Sequence, residues 1–205
     1  ELTASAQEDI ERAAHSARFA KTTRWHETDS NSREAEFAHI RGEIGEKLAQ
    51  AQIGNGVQAD GYSKGGINFP NYDIFGKDEI SQVKVHNFQN GKPISFSNIF
   101  SELTNPSSKG NQNAAERLLY IKENEPEMWE QLRENLPDAV TNSKNIREIQ
   151  KALAEKSTFR IPEDQVDDTR AKLKKAILKN PSKFGVDRST QNVDDLLQKK
   201  VLSID

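Results

Sequence analysis

The chain has 205 residues, 34% hydrophobic and 30% charged, with a net charge of −3 and no cysteine. That length suits one large domain or two small ones, and aromatics at only 7% predict a modest, aliphatic core. The composition excludes disulfides, thiolate metal sites, cysteine nucleophiles and any apolar run of the roughly 18 residues a membrane helix needs; it also excludes a uniformly basic surface, though not a local basic cleft.

The opening ELTASAQEDIER has neither the basic n-region nor the apolar h-region of a signal peptide, and the missing initiator Met is expected of a piece of something longer. Residues 4–20 predict a helix with an Ala/Ile/Phe face, and the polar, turn-rich stretch up to Ser32 predicts a connection. Arg33 to Gln52 is the strongest helical stretch: Phe37, Ile40, Ile44 and Leu48 form one stripe, and Gly54-Asn55-Gly56 stops it. Residues 54–68 read as loop with a short strand near Val57.

Phe69 to His86 predicts two strands and a turn. Tyr72–Phe75 is β-prone, Gly76–Glu79 is turn-like, and Ile80–His86 alternates, so that Ile80, Gln82, Lys84 and His86 share one face. Asn90-Gly91 marks a turn, and Lys92–Phe100 predicts a further strand. Asn105–Asn113 has the composition of a linker or mobile loop. Helical patterns follow at Ala114–Glu123, Pro126–Leu136, Asn145–Lys156, Glu163–Lys179 and Thr190–Leu202. Within Glu163–Lys179, acids come early and bases late, which complements the helix dipole; the alternative is a phosphate-binding run continued by Lys183 and Arg188. The expected organisation is an N-terminal helix and connection (1–32), an α/β core (33–104), a linker (105–113) and a helical region (114–205).

An acid at the end of one strand, with an amide and a lysine on its neighbour, can hold a divalent metal beside a phosphate. Phosphodiester cleavage needs an activated water and neutralisation of the charge on pentacoordinate phosphorus; Mg²⁺ or Mn²⁺ serves both and takes oxygen ligands. Asp73 supplies a carboxylate, Gln82 a neutral amide oxygen, and Lys84 a cation for the water or the phosphate. The bland alternative is an ordinary solvent-facing hairpin with an acid at a turn.

Gly45-Glu46-Lys47-Leu48-Ala49 on a helix, then Pro70-Asn71-Tyr72-Asp73, then Gln82-Val83-Lys84, resembles the core of the PD-(D/E)xK nuclease superfamily over roughly residues 35–100. The resemblance implies a mixed central sheet flanked by helices and a metal-dependent nuclease with Glu46, Asp73, Gln82 and Lys84 in its site. Gln82 departs from the commoner Glu or Asp, which implies weaker metal binding. The helix acid stays open: the motif favours Glu46, whereas about 100° per residue puts Glu46 nearly opposite the apolar stripe and Glu43 at its flank. His86, Lys92, Ser95 and Ser97 are candidate phosphate contacts.

The superfamily's habits favour DNA over tRNA as substrate. The start without Met, the absent cysteine and the polar helical region resemble the C-terminal toxin domains of bacterial polymorphic toxins. That resemblance implies delivery from a larger secreted protein into a target cytoplasm, and neutralisation by a cognate immunity protein. The competing class is a non-enzymatic interaction module with a degenerate nuclease-like core.

Overall fold

The computed structural model describes residues 30–54, 56–64, 68–85, 88–89 and 92–204, with the backbone alone at 30–39, 88, 89 and 92. The expected N-terminal helix of residues 4–20, and all but the end of its connection, lie outside the described residues. Among the described residues the chain is α/β: a five-stranded mixed sheet with eight α-helices.

Helix α1 (Ser30–Gln52) leads into β1 (Val57–Gln58), a 3-10 turn (Ala59–Tyr62), β2 (Ile74–Phe75) and β3 (Ile80–Val83). A small ribbon, β4 (Phe88–Gln89) and β5 (Lys92–Pro93), precedes helices α2 (Phe96–Thr104), α3 (Lys109–Asn124), α4 (Pro126–Arg133), α5 (Asp138–Thr141) and α6 (Ile146–Lys156). Then come β6 (Ser157–Pro162), α7 (Glu163–Lys179), a second 3-10 turn (Pro181–Phe184), α8 (Val193–Lys200) and β7 (Val201–Ile204). The sheet order is β1-β2-β3-β6-β7, antiparallel through β3 and parallel from β3 to β7.

The region expected to be helical therefore supplies two of the five strands. Thr158, Phe159 and Ile161 give β6 its β-prone character, and five of its six residues are buried, as suits a central strand with both faces covered. Helix α8 ends at Lys200, and Val201 and Leu202, expected as its last turn, enter β7 instead. The Lys200 ammonium donates to the carbonyls of Ala154 (2.8 Å), Glu155 (3.0 Å) and Ser157 (2.9 Å), tying the start of β7 to the end of α6.

Two other expectations are corrected. Lys92–Phe100 is not one strand: the Ser95 hydroxyl accepts from the Asn98 amide and starts α2, whose Phe96, Ile99, Phe100 and Leu103 recur at helical spacing and pack on the main core. Nor is Asn105–Asn113 a mobile loop, since Ser108 caps α3 through the Asn111 amide and Asn111 is fully buried. Its side chain donates to the carbonyls of Leu103 and Asn105 and accepts from Asn71 and the Tyr72 hydroxyl. Such a filled polar network is what permits an asparagine in a core.

The main core lies on the sheet face of Phe75, Ile80, Phe159 and Val201; a smaller cluster of Ala49, Ile74 and Val83 lies with Ile53 and Ile204 packed against it. Helix α1 reaches the sheet through small residues. A Cβ on Gly45 would come within 2.1 Å of a Val85 methyl, and Ala49 is fully buried, whereas Ile44 and Leu48 are only half-buried. The contact line is thus Gly45–Ala49, not the bulkier stripe that sequence periodicity picks out.

Candidate active site

Asp73 is held by its main chain first. Its amide donates to the Ser81 carbonyl (2.8 Å) and its carbonyl accepts from the Ala59 amide (2.8 Å), which stitches it between β3 and the 3-10 turn. The hairpin register Ile74↔Ser81 and Phe75↔Ile80, closed by Gly76 N to Glu79 O (2.9 Å), then aims the carboxylate at the end of β3. There Asp73 Oδ2 accepts from both Gln82 Nε2 (2.7 Å) and the Val83 amide (2.8 Å). Among the described residues, no hydrogen bond reaches Asp73 Oδ1 or Gln82 Oε1. Both acceptors are left for another partner.

Just upstream, Asn71 has φ +68, a left-handed conformation that asparagine tolerates better than most residues. Its side chain donates to Glu102 O (3.0 Å) and Asn111 Oδ1 (3.1 Å), so the buried Asn111 network fixes the turn that delivers Asp73.

The contact line of α1 settles how its acids are placed. Measured from Gly45 and Ala49 at about 100° per residue, Glu46 lies at the flank and Glu43 on the far side. Glu46 is half-buried and feels the charges of Asp73, Asp60 and Lys84, while Glu43 is exposed. Burial, then repulsion from Asp73 and Asp60, pushes the Glu46 carboxyl up to about 7. Burial also raises Asp73 to about 6, against the opposing effects of the Val83 hydrogen bond and the nearby Lys84. The Lys84 ammonium offsets only part of the rise in each carboxyl.

Beside them lies a cleft of about 310 Å³, lined by Asn71, Gln82, Lys84, Ile94, Asn98, Ile99 and Glu102. Lys84 reaches it from the end of β3, where its main-chain amide donates to Arg160 O (2.9 Å). Of the candidate phosphate contacts, Ser95 is an exposed helix cap and Ser97 is half-buried beyond Ile94. The Lys92 backbone lies in β5, and His86 lies outside the described residues. Sequence patterning does not single out Asp60, Glu102 or Asn98: Asp60 stands in a glycine-rich stretch with no motif, Asn98 lies in a segment with a strand-like pattern, and Glu102 lies just beyond it. A larger cavity, about 490 Å³, sits at the opposite end of β6 around Ser157 and Lys200, away from these acids.

By donor type alone, the carboxylates of Asp73 and Glu46 and the Gln82 amide oxygen are of the kind a hard divalent cation such as Mg²⁺ or Mn²⁺ takes. Among the described residues no cluster of three or more His, Cys, Asp or Glu is suited to a metal. Also among the described residues, no helix is long and apolar enough to cross a membrane. Comparison of the chain with protein-family models, with curated proteins and with solved structures finds no match.

Proposed function

We propose that this chain is a metal-dependent nuclease with Asp73, Glu46, Gln82 and Lys84 as its reacting group. The observation that carries the reading is the grouping of Asp73, hydrogen-bonded through one oxygen to Gln82 and Val83, with a second raised carboxyl that feels its charge, Glu46, beside a cleft lined by Gln82 and Lys84. Asp73 and Glu46 would hold Mg²⁺ or Mn²⁺, which when bound supplies positive charge to polarise a phosphoryl oxygen and acidify a water. Gln82 fixes the orientation of Asp73 through its amide nitrogen and offers its oxygen to the cation. Lys84 neutralises charge on the phosphate or orients the attacking water. Asn71 and Asn111 hold the turn in place.

DNA is the favoured substrate, with tRNA the alternative, and the setting is an antibacterial toxin domain neutralised by an immunity protein. The Gln82 amide also supports a second reading, a non-enzymatic module with a degenerate core, because it quiets Asp73 without any metal. Incubating the purified chain with plasmid, single-stranded DNA and total tRNA, with and without Mg²⁺, separates the two. Mg²⁺-dependent cleavage is expected, and its absence on all three substrates sinks the nuclease. Expression alone should be toxic, Asp73→Ala should relieve the toxicity, and a neighbouring gene's product should co-purify; a harmless wild-type chain removes the toxin setting.

A further inference from the structure

The cleft beside Lys84 does not stop at Ile94. On the other side of that residue lies a second cavity of about 280 Å³, between the start of α2 (Ser95, Phe96, Ser97) and α7 (Gln165, Lys172, Leu173). Ile94 lines both, so the two share a wall. The sheet fixes their spacing too: Gln82 pairs with Phe159 in register, and the Phe159 ring meets Phe96 edge-on at 5.1 Å.

Three features give this cavity a chemistry. Ile94, Phe96 and Leu173 make apolar walls of the kind a planar ring can lie against. The side-chain oxygen of Gln165 is buried there and, among the described residues, accepts no hydrogen bond. A buried acceptor without a donor is costly, and the soft terminal torsion of glutamine can turn that oxygen to a donor entering the cavity. Lys172, exposed and paired with Asp168 at 2.8 Å, keeps further N–H donors for an anion alongside.

We infer that this cavity is a nucleobase subsite for a nucleotide flanking the scissile phosphodiester, and that Gln165 accepts a hydrogen bond from an amino group on the base. The inference rests on the nuclease reading for its place in a reaction, but not for its physical content. Adenine and cytosine present such an amino group, whereas uracil presents a carbonyl at the corresponding position, which meets the glutamine oxygen as a second acceptor. The readout applies equally to DNA and RNA, since it involves the base alone.

The test is a titration of the ion-free protein, in EDTA, with AMP, CMP and UMP, followed by the side-chain amide signal of Gln165 and the backbone signals of Phe96 and Lys172. AMP and CMP should shift these signals, UMP should bind about fivefold more weakly, and Gln165→Leu should remove the preference while leaving the circular dichroism unchanged. Equal binding of all three nucleotides, or shifts that avoid Gln165, overturns the inference. A protein that cleaves plasmid yet shows no shift at Gln165 loses the subsite alone. One that binds AMP and CMP at Gln165 yet cleaves nothing keeps the subsite and loses the nuclease.

Discussion

Gln82 and the main chain of Val83 donate to the same oxygen of Asp73, Oδ2, at 2.7 Å and 2.8 Å. The carboxylate is thereby oriented through one oxygen, and among the described residues no hydrogen bond reaches the other. A glutamate at position 82 would do the reverse: it would add charge for a cation and repel Asp73 in its absence.

Gln82→Glu should therefore separate stability from metal affinity. Without divalent ions the variant loses a charge-assisted hydrogen bond and gains a like-charge contact, a destabilisation of about 1–3 kcal/mol. With Mg²⁺ it should show a larger rise in Tm than the wild type, because the ligand set gains a charge. Thermal melts in EDTA and in Mg²⁺ measure both, and an unchanged ion-free Tm would contradict the arrangement.

Removal of charge at the cleft should stop the chemistry and spare the fold. Asp73→Asn keeps an acceptor for the Val83 amide, and Lys84→Ala removes a half-buried ammonium; each should lower cleavage on the order of 10²-fold or more. Full activity in either variant, with wild-type circular dichroism, would take the residue out of the site.

The two helix acids should rank unequally. Glu46→Gln should impair cleavage far more than Glu43→Gln, because Glu46 feels Asp73 and Lys84 while Glu43 is exposed. Gly45→Ala tests the same contact from beneath: its Cβ would meet the Val85 side chain at 2.1 Å, so it should cost about 1–3 kcal/mol and lift Glu46 away. Comparable losses at Glu46 and Glu43 would mean that α1 sits otherwise.

Stability should fall as pH rises through the acid range. Asp73 goes from 3.8 to about 6 on folding and Glu46 from 4.5 to about 7, so between pH 4 and 7 the folded chain holds protons that the unfolded chain has released. Their contribution is greatest below pH 4, declines through about pH 7 and levels off roughly one pH unit above it, amounting to at most about 3 kcal/mol for Asp73. Lys200, lowered by burial to about 8, stays charged across that window. Urea unfolding at pH 5 and pH 7.5 should show Glu46→Gln gaining on the wild type at the higher pH. An equal difference at both values would argue against a raised Glu46.

Much of the candidate site was legible because its determinants are local. The alternation from Ile80 and the Gly76–Glu79 turn predict the hairpin, and the hairpin carries Asp73 to Gln82. The α1 contact was not legible, because apolar bulk at Phe37, Ile44 and Leu48 outweighs Gly45 and Ala49 in any periodicity, whereas close packing on a sheet selects small residues. The Ser95 cap was visible in principle: a serine three residues before Asn98, followed by helical spacing from Phe96, competes with a strand pattern of the same apolar residues. Strand β6 had a weaker local cue. Its β-prone Thr158, Phe159 and Ile161 form a short run between two strong helical patterns, and pairing with β3 and β7 on either side completes the strand.

The pairing of β3 with β6 also dictates an order of assembly. Thr158 donates to Glu79 across 79 positions of chain, and Arg160 joins the same carboxylate across 81. Parallel pairings over such separations close slowly, since the entropy of a long loop is lost before the contacts return it. Until β6 docks, the strand carrying Gln82 and Lys84 is an open edge, able to pair with a neighbouring chain. A chain cut before Ser157 should therefore leave the Asp73 hairpin intact in sequence yet aggregating in solution, and the cleft should be among the last parts of the molecule to form.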